Sequence, residues 1–421
     1  MNHPLTTQRS KIALVLAGGG VAGAMYEIGA LCAIDAVLPQ LRVNDFDMYV
    51  GTSAGAFIAA CIANGLSPQT LLTVVTHPLP GIEQLTPDHI FAFNPTAALR
   101  RSVHLPAALL ATVQRILREG RNASLVDLIE SLSTGLPTGL YDPLPMESYL
   151  RNILFRSGGS NDFRTLPHIL AIIATDLNTG QRAVFGQPPL EHIPISLAAC
   201  ASAAMPIFYQ PVRIEDRVYI DGGIRGTASL DVAVDSGAQL IICVNPLVPF
   251  DNSQHLMGHS LSDQGIQRIG NQAFRTFAHA GLQYHLKQVR RQHPDVDIML
   301  IEPQANDMLM FDENAMRYHT RLQIAHHGMQ TVAAHFQQHA AYYRSVLARH
   351  GVRMHPDHPL PTLTVDDQAG RLIKRGPSIP TSTGASRALS VPSAGLSQTL
   401  AELDRLLQHL EQQSDPSRSR S

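Results

Sequence analysis

With 421 residues, 44% of them hydrophobic and 16% charged, the chain is long enough to bury a sizeable core as one large domain or two medium ones. A formal net charge of -2 gives no global field that would gather nucleic acid or an anionic membrane, so any lipid contact has to be local. The four cysteines, Cys32, Cys61, Cys200 and Cys243, lie far apart in apolar segments without C-x-x-C or Cys/His ligand spacing. They read as buried, reduced packing residues rather than a disulfide framework or a metal site.

The polar start, Met1 to Ser10, leads into the apolar run Lys11 to Ala17, which reads as a central parallel strand ended by Gly18, Gly19 and Gly20. Because that run meets three glycines and then Glu27, it reads as a first core strand rather than a signal peptide. No stretch approaches the roughly 20 unbroken apolar residues of a membrane span. The expected compartment is the cytoplasm, although export without a cleaved signal leaves no mark on a sequence.

Val21 to Val37 reads as a helix. Further strands are expected at Met48 to Val50, His168 to Ala174, Arg182 to Phe185, Val218 to Ile220, Gln239 to Val244 and Val296 to Ile301, with helical stretches between several of them. Such alternation argues an α/β layered sheet. Residues 83–145 break this pattern with helical pieces interrupted by proline and glycine, as an insertion over the sheet edge and a candidate lid. Pro106 to Arg118, followed by Arg121, is a candidate lipid-surface helix whose plainer reading is an ordinary packed helix.

Asp263 to His293 and Asp312 to His350 read as long helices that close a domain over residues 10–350. Residues 351–393, rich in Pro, Ser, Thr and Gly, read as a disordered linker. Within 394–413, Leu396, Leu400, Leu403, Leu407 and Leu410 form a short leucine-heptad seam, either docked on its own domain or joining two copies as a homo-oligomer. Residues 414–421 read as a disordered tail.

Three segments carry chemistry. Gly51-Thr52-Ser53-Ala54-Gly55 stands between an apolar strand and an apolar helix, the setting of a nucleophile elbow, where flanking glycines let the backbone cross closely. Gly18-Gly19-Gly20-Val21-Ala22-Gly23 satisfies G-x-G-x-x-G after a strand and before a helix. A dinucleotide site therefore competes with an oxyanion-stabilising loop, since free amides and the helix dipole serve either anion. Asp45 and Asp47 lie near the acidic position a dinucleotide site wants, but they precede the second strand instead of following it. The third segment is the strand Arg217 to Ile220, ended by Asp221-Gly222-Gly223.

The order of Gly-rich loop, Gly-Thr-Ser-Ala-Gly and Asp-Gly-Gly resembles the patatin-like phospholipases, as does Ala201 to Val212 just before the Asp motif. The resemblance covers about residues 10–250, with weaker agreement to 350. It implies a three-layer α/β/α fold with a mostly parallel central sheet, and a Ser-Asp dyad without histidine. Ser53 would be the nucleophile and Asp221 the general base. Gly18, Gly19, Gly20, Gly23 and Ala54 would form the oxyanion hole, with Gly51, Gly55, Gly222 and Gly223 as motif support. A carboxylate of ordinary pKa near ~4 is a weak base for a serine hydroxyl, so hydrogen bonding and partial desolvation must do much of the activation. The implied activity is hydrolysis of lipid carboxylic esters of phospholipase A or lysophospholipase type, with a lipid or acyl-ester substrate, transient membrane-surface contact, no nucleic acid, no cofactor and no metal. A neutral-lipid or small-ester esterase, or a catalytically silent binding or assembly protein, is the alternative. One departure stands out: where the family pattern usually has Arg or Lys, this chain has Ala22.

The twenty histidines add little. His168 and His192 are candidates for a Ser-His-Asp triad, but neither lies in a motif that would bring it to the elbow. His335 and His339 have metal-ligand spacing without the H-E-x-x-H glutamate and read as a solvated helix face. His350, His355 and His358 near the linker carry incidental metal affinity at most.

Overall fold

Every residue of Ile12–Leu16 is buried, and its alternate side chains enter two different cores. Ile12, Leu14 and Leu16 pack on one side, Ala13 and Val15 on the other, as a strand covered on both faces requires. This strand, β1, lies inside the sheet of a computed structural model that describes residues 10–93, 138–254, 258, 260–312 and 320–360. All of them fall in the first of the chain's two units, which ends at Leu363.

The remaining strands are β2 (Met48–Thr52), β3 (Gly139–Tyr141), β4 (Ile169–Asp176), β5 (Arg182–Phe185), β6 (Ile207–Tyr209), β7 (Val212–Ile214), β8 (Arg217–Asp221), β9 (Leu240–Val244) and β10 (Asp297–Ile301). The helices are α1 (Gly20–Val37), α2 (Ala54–Ala63), α3 (Pro68–Thr76), α4 (Pro87–Ile90), α5 (Leu144–Arg156), α6 (Ile195–Ser202), α7 (Leu230–Asp235), α8 (Ile266–Gln292), α9 (Met308–Asp312), α10 (Arg321–Gln338) and α11 (Ala340–Arg349).

The main sheet runs β10-β9-β1-β2-β4-β8-β7, with β5 also on β4. The strands β10, β9, β1, β2 and β4 are parallel, and β5, β8 and β7 join antiparallel. Helices α1, α2, α3, α5, α6 and α10 cover one face, and α7 and α8 the other. This is the three-layer α/β/α fold with a mostly parallel sheet.

Helix α1, the helix expected over Val21 to Val37, alone among the described residues is long and apolar enough to cross a membrane by length and composition. It is 83% buried inside the protein, as befits a core helix. A Cβ on Gly29 would stand 2.0 Å from the carbonyl oxygen of Ala325, and one on Gly328 would stand 2.7 Å from that of Tyr26. Helices α1 and α10 therefore touch backbone to backbone, each through its own glycine.

Several expected boundaries move. The long helix expected over 312–350 is interrupted: α9 ends at Asp312, and His339 separates α10 from α11. The linker expected from 351 begins too early. Val352 and Met354 are buried, and the amide of His355 donates to the carbonyl of Val37 at 2.8 Å, so residues 351–360 belong to the domain. The insertion expected to be helical over 83–145 has α4 at its start, but it leaves through β3, paired in parallel with β6. Its centre, with Pro106 to Arg118 and Arg121, lies outside the described residues, as do the rest of the linker, the leucine seam and the tail. The three-residue strands β3, β6 and β7 are too short to show periodicity, and sequence reading missed them.

Candidate active site

Ser53 stands between β2 and α2 with φ 55° and ψ -125°, at a positive φ that a non-glycine residue rarely adopts. Its neighbours must be glycine for steric reasons. A Cβ on Gly51 would lie 2.6 Å from Ala56 Cα, and one on Gly55 would lie 2.6 Å from the carbonyl oxygen of Ala17. The sequence folds this way locally because β2 ends at a tight turn and runs directly into an apolar helix.

The sheet register explains how Asp221 reaches Ser53. Thr52 pairs with Ile173 and Asp221 with Ala174, and β2 and β8 occupy the same side of β4 because β5 holds the other. Strand β2 runs parallel to β4 and β8 antiparallel, so their ends meet head on at adjacent rungs. Ser53 Oγ donates to Asp221 Oδ2 at 2.6 Å, and the Gly223 amide donates to Asp221 Oδ1 at 2.7 Å. A Cβ on Gly222 would lie 2.2 Å from the carbonyl oxygen of Ile173, so only glycine lets the chain turn away there. Asp221 is 2% exposed, and burial pushes its carboxyl up to about 6 against the opposing pull of those two hydrogen bonds. Burial and hydrogen bonding thus act on Asp221 together, the desolvation raising its pKa and the two hydrogen bonds opposing that rise.

Two side chains that sequence reasoning missed fix this geometry. The Ser53 amide donates to Ser202 Oγ at 2.8 Å, and Ser202 Oγ donates to the carbonyl of Ile173 at 2.5 Å. Thr175 Oγ1 donates to the Asp221 carbonyl at 3.1 Å. Ser202 lies in the quoted stretch Ala201 to Val212, but nothing in its spacing marks it.

The Gly-rich loop lies against the serine: a Cβ on Gly18 would come within 2.8 Å of Ser53 Cβ. The amides of Gly19, Gly20, Val21 and Ala22 open α1 and have no carbonyl within that helix, and Ala54 holds the same position in α2. Gly23 does not share this property. Its amide donates to the Gly19 carbonyl at 3.0 Å, and its missing side chain makes room for Pro246, whose Cγ would be 3.0 Å from a Cβ there. Gly23 is therefore a packing residue and not an oxyanion donor, because the helix has already closed its first turn. Ala22 is 2% exposed and points into the core.

Gly18, Gly19, Gly20, Ser53, Ala54 and Asp221 line one cavity of 750 Å³. The walls from α1, α2, α3 and α5 are apolar, with Met25, Ile58, Val75 and Leu150 among them. The arrangement places a hydroxyl, a carboxylate of raised pKa and free helix-start amides on the wall of one largely apolar cavity.

The competing sites dissolve. Asp47 Oδ2 accepts the Ile12 amide at 2.8 Å and Asp45 Oδ2 the Arg42 amide at 3.3 Å, both near the N-terminal ends of the central strands β1 and β2, away from Ser53. His168 packs edge-on against Tyr49 just before β4 starts, the opposite end from Ser53, and His192 pairs with Glu215 at 2.8 Å. Of the helix face expected to be solvated, His339 is exposed, whereas His335 is half-buried and shares a 2.8 Å hydrogen bond with the Tyr343 hydroxyl, and burial, with His339 beside it, lowers its pKa. His350 contacts Asp297 Oδ2 at 2.8 Å. No group of three or more His, Cys, Asp or Glu that would hold a metal ion occurs among the described residues.

Residues 14–234, a little over half of the chain, match the family model described as patatin-like phospholipase. The chain belongs to the patatin-like phospholipase family. It is similar to probable lipid hydrolase 463L of Invertebrate iridescent virus 6, with 21% identity over 221 residues, covering 52% of this chain and 62% of that protein. Among solved structures it is similar to VipD from Legionella pneumophila, at 12% identity and a TM-score of 0.35, over 78% of this chain and 67% of that one. It is also similar to human GIVD cytosolic phospholipase A2 in complex with methyl gamma-linolenyl fluorophosphonate, at 12% identity and a TM-score of 0.35, over 83% of this chain and 61% of that one. The chain thus spans less than two thirds of the viral protein and of the human enzyme.

Proposed function

We propose that the protein is a serine lipid acyl hydrolase of phospholipase A or lysophospholipase type, with Ser53 as nucleophile and Asp221 as general base. Family membership supports lipid hydrolysis as the class of activity. The observation that carries the finer reading is the 2.6 Å hydrogen bond from Ser53 Oγ to the buried Asp221 carboxylate, both lining a largely apolar cavity.

In this reading the acyl chain lies among the apolar walls and its ester carbonyl sits over Ser53. Oγ attacks the carbonyl carbon while Asp221 Oδ2 takes the hydroxyl proton. A carboxyl with a pKa of about 6 is a better match to that proton than an ordinary aspartate, and is still ionised near neutral pH. The amides of Gly19, Gly20 and Ala54 are the donors for the developing oxyanion. Collapse expels the alcohol, which recovers the proton from Asp221 and leaves an acyl ester on Ser53. Asp221 then takes a proton from water, whose oxygen attacks the ester; as this second intermediate collapses, the bond to Ser53 Oγ breaks, Oγ recovers the proton from Asp221, and the fatty acid is released.

Labelling with a fluorophosphonate probe, read by intact mass, tests this. A single adduct on the wild type and none on Ser53→Ala supports the nucleophile; an equal adduct on both, or none on folded wild type, overturns it.

A further inference from the structure

Helix α8 has two apolar faces where a surface helix needs one. Leu282, Leu286 and Val289 enter the core beneath the sheet, and Arg275, buried on the same side, donates to the carbonyl of Met310. The opposite face carries Ile266, Gly270, Ala273, Phe277, Ala280 and Tyr284, all exposed, at spacings of four, three, four, three and four. That is the period, about 3.5 residues, of a helix–helix seam, and it runs for about 27 Å at ~1.5 Å per residue. Ile266 is 88% exposed, and Phe277 and Tyr284 are each 74% exposed. Single exposed apolar residues are ordinary, but a row of them along one helix marks a surface that something covers.

Charge and shape decide what fits this face. Its exposed positions from Ile266 to Tyr284 carry no charge, so they offer anionic lipid headgroups nothing to hold. Exposed Lys287 continues the seam three residues after Tyr284, and exposed Asp263 stands in the turn Leu261–Gln264 just before α8. Laid antiparallel on its own copy, about a twofold axis level with Arg275, the seam sets Phe277 against Ala273, Tyr284 against Ile266 and Ala280 against Gly270. It also turns Lys287 toward Asp263. Each aromatic ring then meets a smaller side chain and each cation meets an acid. A parallel pair would instead oppose Lys287 to itself.

We infer that the exposed face of α8 receives a second copy of this chain, as an antiparallel twofold pair of α8 helices with Lys287 and Asp263 meeting at each end. The pairing reaches the Ser53 cavity, because Gly270 belongs both to the seam and to the cavity wall that Gln267, Asn271 and Phe274 share. Ala280 of the second copy therefore comes to rest against that wall. The pairing stands whether or not Ser53 is the nucleophile.

Sedimentation of the full chain across about 1–100 μM tests this, a range that spans modest protein–protein affinities. The wild type should reach twice the chain's 45.8 kDa. Phe277→Glu, at an exposed position that leaves the fold intact, should weaken the dimer about 100-fold. Lys287→Glu and Asp263→Lys should each weaken it about tenfold, whereas the two together should regain most of the wild-type affinity, since the charges are then exchanged and still opposite. A wild type that stays monomeric overturns the inference, as does a dimer that Phe277→Glu leaves unchanged. A double variant no tighter than either single one overturns the antiparallel pairing. A monomeric wild type that sediments with phosphatidylcholine vesicles, and loses this in Phe277→Glu, would make the face a lipid contact and also overturns it.

Discussion

Ser202 Oγ accepts a hydrogen bond from the amide of Ser53 at 2.8 Å and donates its own to the carbonyl of Ile173 at 2.5 Å. The strained backbone at Ser53 is thus tied through Ser202 to β4, the strand whose Ala174 and Thr175 hold Asp221, so one strand positions both partners.

Removing that tie should loosen the nucleophile more than the fold. Ser202→Ala leaves a buried amide without its acceptor, which costs about 1–3 kcal/mol of stability. Turnover of a soluble p-nitrophenyl ester should fall about 10- to 100-fold in kcat with a smaller change in KM, and Ser202→Thr should recover part of it. An unchanged kcat in a folded Ser202→Ala would refute the positioning role.

The raised carboxyl of Asp221 sets an acid limb. As a base it must be ionised, so kcat/KM should rise with pH and reach half its plateau near pH 6, not near 4. A pH profile flat from 5 to 7 would count against Asp221 as the base.

The same group carries a stability signature. Its folded pKa of about 6 lies above the ordinary 3.8, so the folded state keeps a proton that the unfolded chain loses. Its relative stabilisation is complete below pH ~4 and is lost as pH rises through about 6, reaching on the order of 3 kcal/mol. Asp221→Asn should therefore melt at nearly the wild-type temperature at pH 4 but above it at pH 8, while losing activity. A melting difference that does not grow with pH would contradict the buried, ionised carboxylate.

At the contact of α1 with α10, Gly29→Ala puts a Cβ 2.0 Å from the Ala325 carbonyl oxygen. Overpacking against backbone should cost about 2–3 kcal/mol or prevent folding. Gly281→Ala, in α8 with nothing within 4 Å, should instead stabilise by about 0.5–1 kcal/mol. Urea melts of the two variants should move in opposite directions; movement in the same direction would be evidence against the close approach.

The central strands were legible because both faces are buried, which turns β1, β4, β9 and β10 into continuous apolar runs. The Ser53 and Asp221 motifs were legible because tight turns force glycine beside them. What stayed hidden was tertiary. Ser202 acts through a hydrogen bond between elements, Asp221 owes its pKa to burial, and Gly23 occupies a motif position but serves contact with Pro246. Residues 351–360 look like linker by composition, yet Val352 and Met354 find an apolar surface that only the folded domain provides.

The sheet order has a practical consequence for anyone cutting this protein into pieces. The segment matching the family ends at residue 234, before β9, yet β9 forms the second edge of β1 in the middle of the sheet. A fragment trimmed to the family boundary would leave β1 with a bare row of amides and carbonyls flanked by apolar side chains, a template for stacking with other copies. An expression fragment meant to stay in solution therefore has to run to about residue 360, where the last helices have closed over α1.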